Sequence, residues 1–467
     1  MTYNLKRAGF AQDGLPVDVD SEFDSPKTID RIVQGLKAGG HTVYLVEATH
    51  DFPRWFLTHP VDMVFNIAEG IHGEHRESQV PAVLESLGVP FTGSNSVTLA
   101  LALDKAKTKQ ILASEGIPTP AWQLFHSPTA ALNPQLEFPL IVKPNREGSA
   151  KGIWRESVVG DEASLRCQIA HIYDRYQQEV LVEEFIQGLE LTVGVLGDTA
   201  LPVLEIDFSP CRASGEYFYS WRMKEFQGNA ELALSPEFYC PARLDQKTAI
   251  RIQELTLRAH HALRCQDISR TDIRLRSDGI PFVLEVNPLP GLDPLDSNFP
   301  VMARAAGFSH ERLIQRIVDL AICRFQKTRL QQSGCINPPV VQSTPFKVSA
   351  NVCAEACCLP PAEASRVFPV SISRAPAYQQ PVPGLFSRGA SRDSTDRGEI
   401  SAPNIRSIES APLSIDVEVQ RMSSVVRGDD RQRCIHMATP QLGVSTVSTD
   451  YPEAQTTSGV ARREDIS

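Results

Sequence analysis

Residues 267–287 read DISRTDIRLRSDGIPFVLEVN, two alternating strands, Asp267–Arg276 and Ile280–Asn287, on either side of Asp278-Gly279. Asp-Gly between apolar strands is a strong short-range hairpin signal, so a two-residue type I′ turn is expected at these positions. Pairing residues outward from that turn puts Asp272 opposite Glu285 and Arg270 opposite Asn287, all on one face. The other face then carries Thr271, Ile273 and Leu275 against Val286, Leu284 and Phe282. The hairpin is expected to be apolar behind and charged in front.

Two carboxylates directly opposite on a sheet have Cβ atoms about 5 Å apart and repel. At an effective dielectric of about 20 that repulsion is roughly 3 kcal/mol, more than a surface position should carry without benefit. A divalent cation removes it. The oxygens of Asp272, Glu285 and Asn287 are the hard donors magnesium prefers, commonly shared with substrate phosphates and water. The competing reading is a solvated face on which Arg270, Arg274 and Arg276 neutralise the acids.

Composition narrows the function without naming it. The chain has 467 residues, so two to four folding units are expected. Its net charge of -10 and pI near 5.6 argue against a nucleic-acid groove or an anionic membrane as main partner. A small ligand is the better expectation. The N-terminus lacks the apolar region of a secretory signal and no apolar run reaches membrane-spanning length, which points to the cytoplasm. The ten cysteines form no CxxC pair, and the cluster Cys353, Cys357 and Cys358 has no histidine at zinc-site spacing, so reduced thiols are expected.

Along the chain, residues 1–97 read as an α/β unit with a mostly parallel sheet: a helix at Thr28–Gly39, strands at Thr42–Glu47 and Val61–Ile67, a helix at Gln79–Leu87 and a strand at Val89–Thr92. The opening strand reads as cut short at Met1. One helix is expected from Ser96 to Glu115, closed by Gly116 and the breakers Pro118 and Pro120. Strands follow at Pro139–Val142, Glu179–Ile186, Glu190–Leu196 and Pro202–Phe208, then a polar segment, Ser209–Pro236, of few core residues that reads as a mobile lid. An amphipathic helix at Arg243–Cys265, the hairpin, and a helix at Phe308–Arg329 complete the globular part. Domains of 1–97, 98–184 and 185–330 are expected, with a disordered tail over 331–467 where Ser, Thr, Pro, Arg and Asp dominate.

Three further features carry chemistry. In Lys143-Pro144-Asn145-Arg146-Glu147-Gly148-Ser149-Ala150-Lys151-Gly152 a lysine at a strand end precedes a small-residue loop, which can offer an ammonium and backbone N–H groups to phosphates. It is neither a GxxxxGK[ST] loop nor a GxGxxG fingerprint, and a plain turn would look similar. In Val180–Ile186 followed by Glu190, acids flank an apolar strand that could hold a flat ring. Lys105 and Lys224 are each unremarkable alone.

Taken in order, these residues resemble the D-alanine–D-alanine ligase branch of the ATP-grasp enzymes over roughly residues 40–325. The resemblance rests on Phe91-Thr92-Gly93-Ser94 with Asp104-Lys105, the Lys143–Gly152 loop, Glu183 to Glu190, and Arg270-x-Asp272 with Glu285-x-Asn287-x-x-Pro290-Gly291. It implies an ATP-grasp fold behind a mostly parallel α/β N-terminal domain. The implied activity is an ATP-dependent carboxylate–amine ligase, D-alanine with D-alanine favoured, serving peptidoglycan precursor synthesis. Lys105 and Lys143 would contact ATP phosphates, Glu183, Glu184, Phe185 and Ile186 the adenine, and Glu190 the ribose. Asp272, Glu285 and Asn287 would hold a pair of magnesium ions, with manganese as a substitute. Lys224 and Ser149 would act at the transferred phosphoryl group, and Arg270 with N–H groups near Gly291 would stabilise the oxyanion. Amino-acid substrates are the implied partners, with a homodimer as an allowed assembly.

The chain also departs from that pattern. The usual Gly-rich opening with its amine-binding Glu is missing, with Glu22 or Asp24 near the corresponding place. Glu225 follows Lys224 where the family commonly has Tyr, Asn66-Ile67-Ala68-Glu69-Gly70 stands for a His-Gly pair, and Ser297 is the nearest carboxylate contact after Gly291. These departures touch amino-acid recognition. They leave open a ligase for another amino acid, a peptide or a hydroxy acid, and a catalytically idle scaffold as the reading from another class.

Overall fold

The computed structural model of the chain describes residues 1–7, 16–227, 232 and 234–333. Expectations for the tail from residue 334 onward, and for Cys353, Cys357 and Cys358, lie outside the described residues.

The N-terminal part joins β1 (Thr2–Tyr3), α1 (Pro26–Ala38), β2 (Val46–Glu47), α2 (Phe52–Thr58) and α3 (Gln79–Ser86). Ser25 starts α1 by accepting the Thr28 N–H at 3.1 Å, and Pro26 sits in the first turn where no N–H is needed. Ile29, Ile32 and Leu36 recur at helical spacing and are buried. The strands pair in parallel, as expected, but are shorter. Thr42–Glu47 reduces to Val46–Glu47, and Val61–Ile67 and Val89–Thr92 reduce to the bridges Thr2↔Asn66 and Val64↔Phe91.

The single helix expected over Ser96–Glu115 is two, α4 (Ser96–Leu103) and α5 (Lys105–Ser114). Asp104 breaks it by adopting an extended conformation and accepting the Lys107 N–H, as an N-cap does. Then come β3 (Trp122–Phe125), β4 (Leu140–Pro144), β5 (Val158–Val159), α6 (Glu162–Tyr176) and β6 (Val180–Glu184). The strands form an antiparallel sheet in the order β3-β6-β4-β5, covered by α6 through Leu165, Ile169 and Ile172.

The third part contains β7 (Gly188–Leu196), β8 (Thr199–Ala200), β9 (Leu204–Asp207), α7 (Trp221–Glu225), β10 (Glu237–Tyr239), α8 (Gln246–Ala262), β11 (Ile268–Arg276), β12 (Pro281–Asn287), α9 (Asn298–Ala305) and α10 (His310–Ser333). Its sheet runs β10-β9-β7-β11-β12, with β8 beside β7. Leu112 and Ile117 are buried in the core beneath this sheet, so the 98–184 segment feeds two cores. The polar Ser209–Pro236 segment has more packing than its composition suggested. Cys211, Met223 and Leu234 bury together, and the Trp221 ring lies 4.7 Å from that of Trp154.

The hairpin departs from the expected turn. Gly279 donates to the Arg276 carbonyl at 2.8 Å and Arg276 to the Ile280 carbonyl at 3.0 Å. Gly279 has φ +81° whereas Asp278 keeps a negative φ, and a type I′ turn needs both positive. The loop is therefore one residue longer, with Gly279 at the left-handed bulge position. Next to it the pairs are Leu275↔Pro281, Arg274↔Phe282 and Ile273↔Val283, each offset by one from expectation. A bulge at Leu284 restores the register, giving Asp272↔Glu285 and Arg270↔Asn287. Its cause is packing: Val283 and Val286, three apart, are both buried, which strict alternation forbids.

Candidate active site

Strands β11 and β12 hold the opposed acids. Arg270 grips Asp272 through two hydrogen bonds, Nε to Oδ1 at 2.9 Å and a terminal nitrogen to Oδ2 at 2.7 Å, and Thr192 Oγ1 donates to Oδ1 at 2.6 Å. Glu285 Oε2 lies 3.3 Å from Lys105 Nζ, and Oε1 3.9 Å from Arg270. Burial alone would raise the Glu285 carboxyl, but Lys105, Lys143 and Arg270 outweigh it and hold it at about 2. The Glu285 carboxylate is thus ionised and balanced by protein cations, and Asp272 is paired with Arg270. Asn287 ends β12, with Oδ1 accepting the Leu289 N–H at 3.0 Å.

On the facing lobe, Lys143 Nζ donates to Glu183 Oε1 at 2.6 Å and Lys109 Nζ lies 2.6 Å from Oε2. Burial pushes the Lys109 ammonium down to about 8 against the pull of Glu183. The Glu183 carboxylate, expected at the adenine, is 2% exposed and holds these two lysines together. Lys109 escaped the sequence reading, although Lys105-x-x-x-Lys109 places both ammoniums on one helix face. Glu190 pairs with Arg274 at 2.5 Å, and the Arg274 guanidinium lies 5.2 Å from the Phe185 ring centre.

The loop after Lys143 carries Ser149 at φ +50° and Ala150 at φ +59°, left-handed conformations costing about 1–2 kcal/mol each for residues with a Cβ. Its surroundings hold it there. Glu22 Oε1 accepts the Gly148 N–H at 2.7 Å, and the same carboxylate pairs with Arg76 at 2.5 Å and Lys151 at 3.3 Å. Burial opposes ionisation of Glu22, but Arg76 and Lys151 keep it at about 2. Asp24 differs: burial and the neighbouring Asp293 push it up to about 7. Burial and Glu77 likewise push Glu69 well up.

Lys224, on α7, donates to Ser149 Oγ at 2.9 Å. Solvent reaches its side chain, yet the surrounding cleft desolvates the ammonium and Arg270 repels it, lowering it to about 8. Gly291 stands against Ser297, whose Oγ would lie 2.7 Å from a Cβ added there. Ser297 Oγ accepts the Asp293 N–H at 3.2 Å, closing its own loop. The structure therefore gathers Lys105, Lys143, Arg270, Asp272 and Glu285 around one charged cleft, with Lys224 and Ser149 at its edge. Arg76 and Glu77 join them without having been expected, and Glu69 and Arg274, read only as part of a departure and as a neutralising charge, lie among them as well.

The family model described as D-ala D-ala ligase C-terminus matches residues 111–319. A D-alanine–D-alanine ligase of Aquifex aeolicus is 33% identical over 295 residues, which are 63% of this chain and 94% of that protein. The chain belongs to the D-alanine–D-alanine ligase family. A ligase of the same name from Paracidovorax citrulli is 36% identical over 295 residues, 62% of this chain and 82% of that protein. The fold is shared with a D-alanine–D-alanine ligase crystal structure from Bacillus anthracis, complexed with ATP, at a TM-score of 0.55 and 24% identity, covering 70% of this chain and 98% of that one. Membership of the ligase family makes the chain an ATP-dependent ligase. Among the described residues no helix is long and apolar enough to cross a membrane.

Proposed function

We propose that this ligase joins the carboxylate of one D-alanine to the amine of a second at the expense of ATP, for cell-wall precursor synthesis in the cytoplasm. The observation that supports it most is the Asp272–Glu285 opposition, ringed by Arg270, Lys105 and Lys143. Such a cleft suits a polyanion whose charge shifts during reaction.

Asp272, Glu285 and Asn287 fit magnesium: all three offer hard oxygens, and Glu285 stays ionised at about 2. Among the described residues no three His, Cys, Asp or Glu side chains form a metal cage, in keeping with ions that also take phosphate oxygens as ligands. Bound there, magnesium would draw charge from the phosphates. Lys105 and Lys143 neutralise phosphate oxygens, and Lys224, steered by Ser149, meets the phosphoryl group as it passes to the carboxylate. A carboxylate oxygen attacks the γ-phosphorus, ADP leaves, and an acyl phosphate results. The second amine attacks the acyl carbon, and phosphate departs with that oxygen. Arg270 and the Gly291 N–H stabilise the oxyanion. Glu190 with Arg274 and the Phe185 ring receive ribose and adenine. For the first amine Asp24 is the better acceptor, since the Glu22 carboxylate is already bonded to Arg76, Lys151 and Gly148.

One observation favours a different amino acid. The carboxyls of Asp24, Glu69 and Glu77 have no hydrogen-bond or ion-pair partner among the described residues, and Glu77 is only 8% exposed. An acidic wall of this kind suits a substrate with a second cationic group.

Phosphate release from ATP, screened across D- and L-amino acids singly and in pairs with the product weighed, tests both. D-alanine alone should drive release and yield the dipeptide. Release only with a basic amino acid would move the substrate, and release independent of any amino acid would end the ligase reading.

A further inference from the structure

The loop that follows Lys143 is gripped at both ends by one short segment of the N-terminal part. Asp18 and Glu22, four residues apart, accept the N–H groups of Gly152 and Gly148, also four apart, at 2.8 and 2.7 Å. The segment is stiffened by successive turns, Val19 N–H to the Pro16 carbonyl, Ser21 to Asp18 and Phe23 to Asp20. Asp18 is fully buried, and its Oδ2 also accepts the Tyr176 hydroxyl at 2.7 Å. Tyr176 in turn packs against Gly152, where an added Cβ would lie 2.4 Å from Pro144 and 3.2 Å from the Tyr176 ring.

This grip decides which loop amides remain for a ligand. Gly148 and Gly152 donate to the two acids, and Lys151 donates to the Gly148 carbonyl at 2.9 Å. Glu147, Ser149 and Ala150 are left, their N–H groups without an acceptor among the described residues, and the backbones of the last two are held in the left-handed region. Adjacent amides left free in such a turn can donate to an anion.

We propose that Asp18, with Tyr176, is a positioning residue for nucleotide binding: acting through Gly152, it holds the loop so that the Ser149 and Ala150 amides face the phosphates of ATP. The inference rests on the reading that this loop receives ATP. The side-chain partners of Asp18 are Gly152 and Tyr176, neither of them assigned to the amino-acid pocket, so disturbing it should weaken nucleotide binding more than binding of the other substrate.

The test measures binding of a non-hydrolysable ATP analogue by calorimetry, alongside steady-state kinetics, on the full chain. Asp18→Ala should raise the Kd for the analogue about 10-fold or more, the range for losing a hydrogen bond to a charged acceptor. Because Ser149 on the same loop steers Lys224, kcat falls as well, whereas the KM for the amino acid should stay within about 3-fold. Asp18→Asn keeps an acceptor oxygen and puts its amide nitrogen where Oδ1 has no partner, so it should bind nearly as the parent does. Unchanged analogue affinity in Asp18→Ala, or an equal loss for both substrates, overturns the inference. If Asp18→Ala does not fold, Tyr176→Phe decides: analogue binding weakened about 3-fold at an unaltered melting temperature supports the grip, and unaltered affinity overturns it. Wild-type protein that binds no analogue overturns the ATP reading and this inference together.

Discussion

Asp272 and Glu285 face each other across two antiparallel strands only because two irregularities cancel: a loop one residue longer than a tight Asp-Gly turn, and a bulge at Leu284 that takes the offset back. Packing of Val283 and Val286 imposes the bulge, and its result is two acids in direct opposition. If the pair were merely solvated, Asp272→Asn or Glu285→Gln would relieve repulsion and leave turnover near normal. As magnesium ligands, either change should lower kcat by about 100-fold or more and raise the magnesium concentration for half-activity, with the fold intact by circular dichroism. Near-normal turnover at an unaltered magnesium requirement would remove the metal role.

Glu183 is the counter-charge for two buried lysines, so its loss should be structural before it is catalytic. Glu183→Gln leaves Lys109 and Lys143 without their partner, and breaking a buried pair from one side costs about 3–5 kcal/mol. Denaturant titration at neutral pH measures this. Burial raises the Glu183 carboxyl, but the two lysines win and its folded value is depressed. Its stabilisation is therefore present above the unfolded carboxyl value of about 4.3 and lost as pH falls through the folded one, so the two proteins should converge in stability in acid. A constant gap down to strongly acidic pH would contradict the pairing.

Lys224 is held at about 8, so the free enzyme should lose its ammonium as pH rises through that value. The predicted profile of kcat/KM for ATP falls above pH about 8, whereas that of kcat falls later, because bound phosphates favour the charged form. Lys224→Arg, which stays protonated, should abolish the alkaline limb at a reduced rate. An alkaline limb unchanged in that variant would assign it to another group.

Much of this site was legible because its chemistry lies in short segments. The strand alternation around Asp278-Gly279 placed Asp272, Glu285, Arg270 and Asn287 correctly, although the turn itself was misread, since the bulge at Leu284 is imposed by burial of both Val283 and Val286. Helix α6 went unread although Leu165, Ile169 and Ile172 carry its period, because the polar residues between them mask it. Asp104 as a helix start, and Lys109 one turn beyond Lys105, were visible in principle. The role of Glu22 was not. A carboxylate that accepts a backbone N–H 126 residues away follows no local spacing rule, and only the folded chain shows that it is occupied.

The proposed ligation proceeds by transfer of the phosphoryl group to a carboxylate. The direct measurement supplies the first amino acid with ¹⁸O in its carboxylate and weighs the phosphate released as product forms. Attack of the amine on an acyl phosphate expels the phosphate together with one carboxylate oxygen, so each phosphate should carry a single ¹⁸O. Dipeptide formed with unlabelled phosphate would contradict the mechanism, whatever the identity of the amino acids joined.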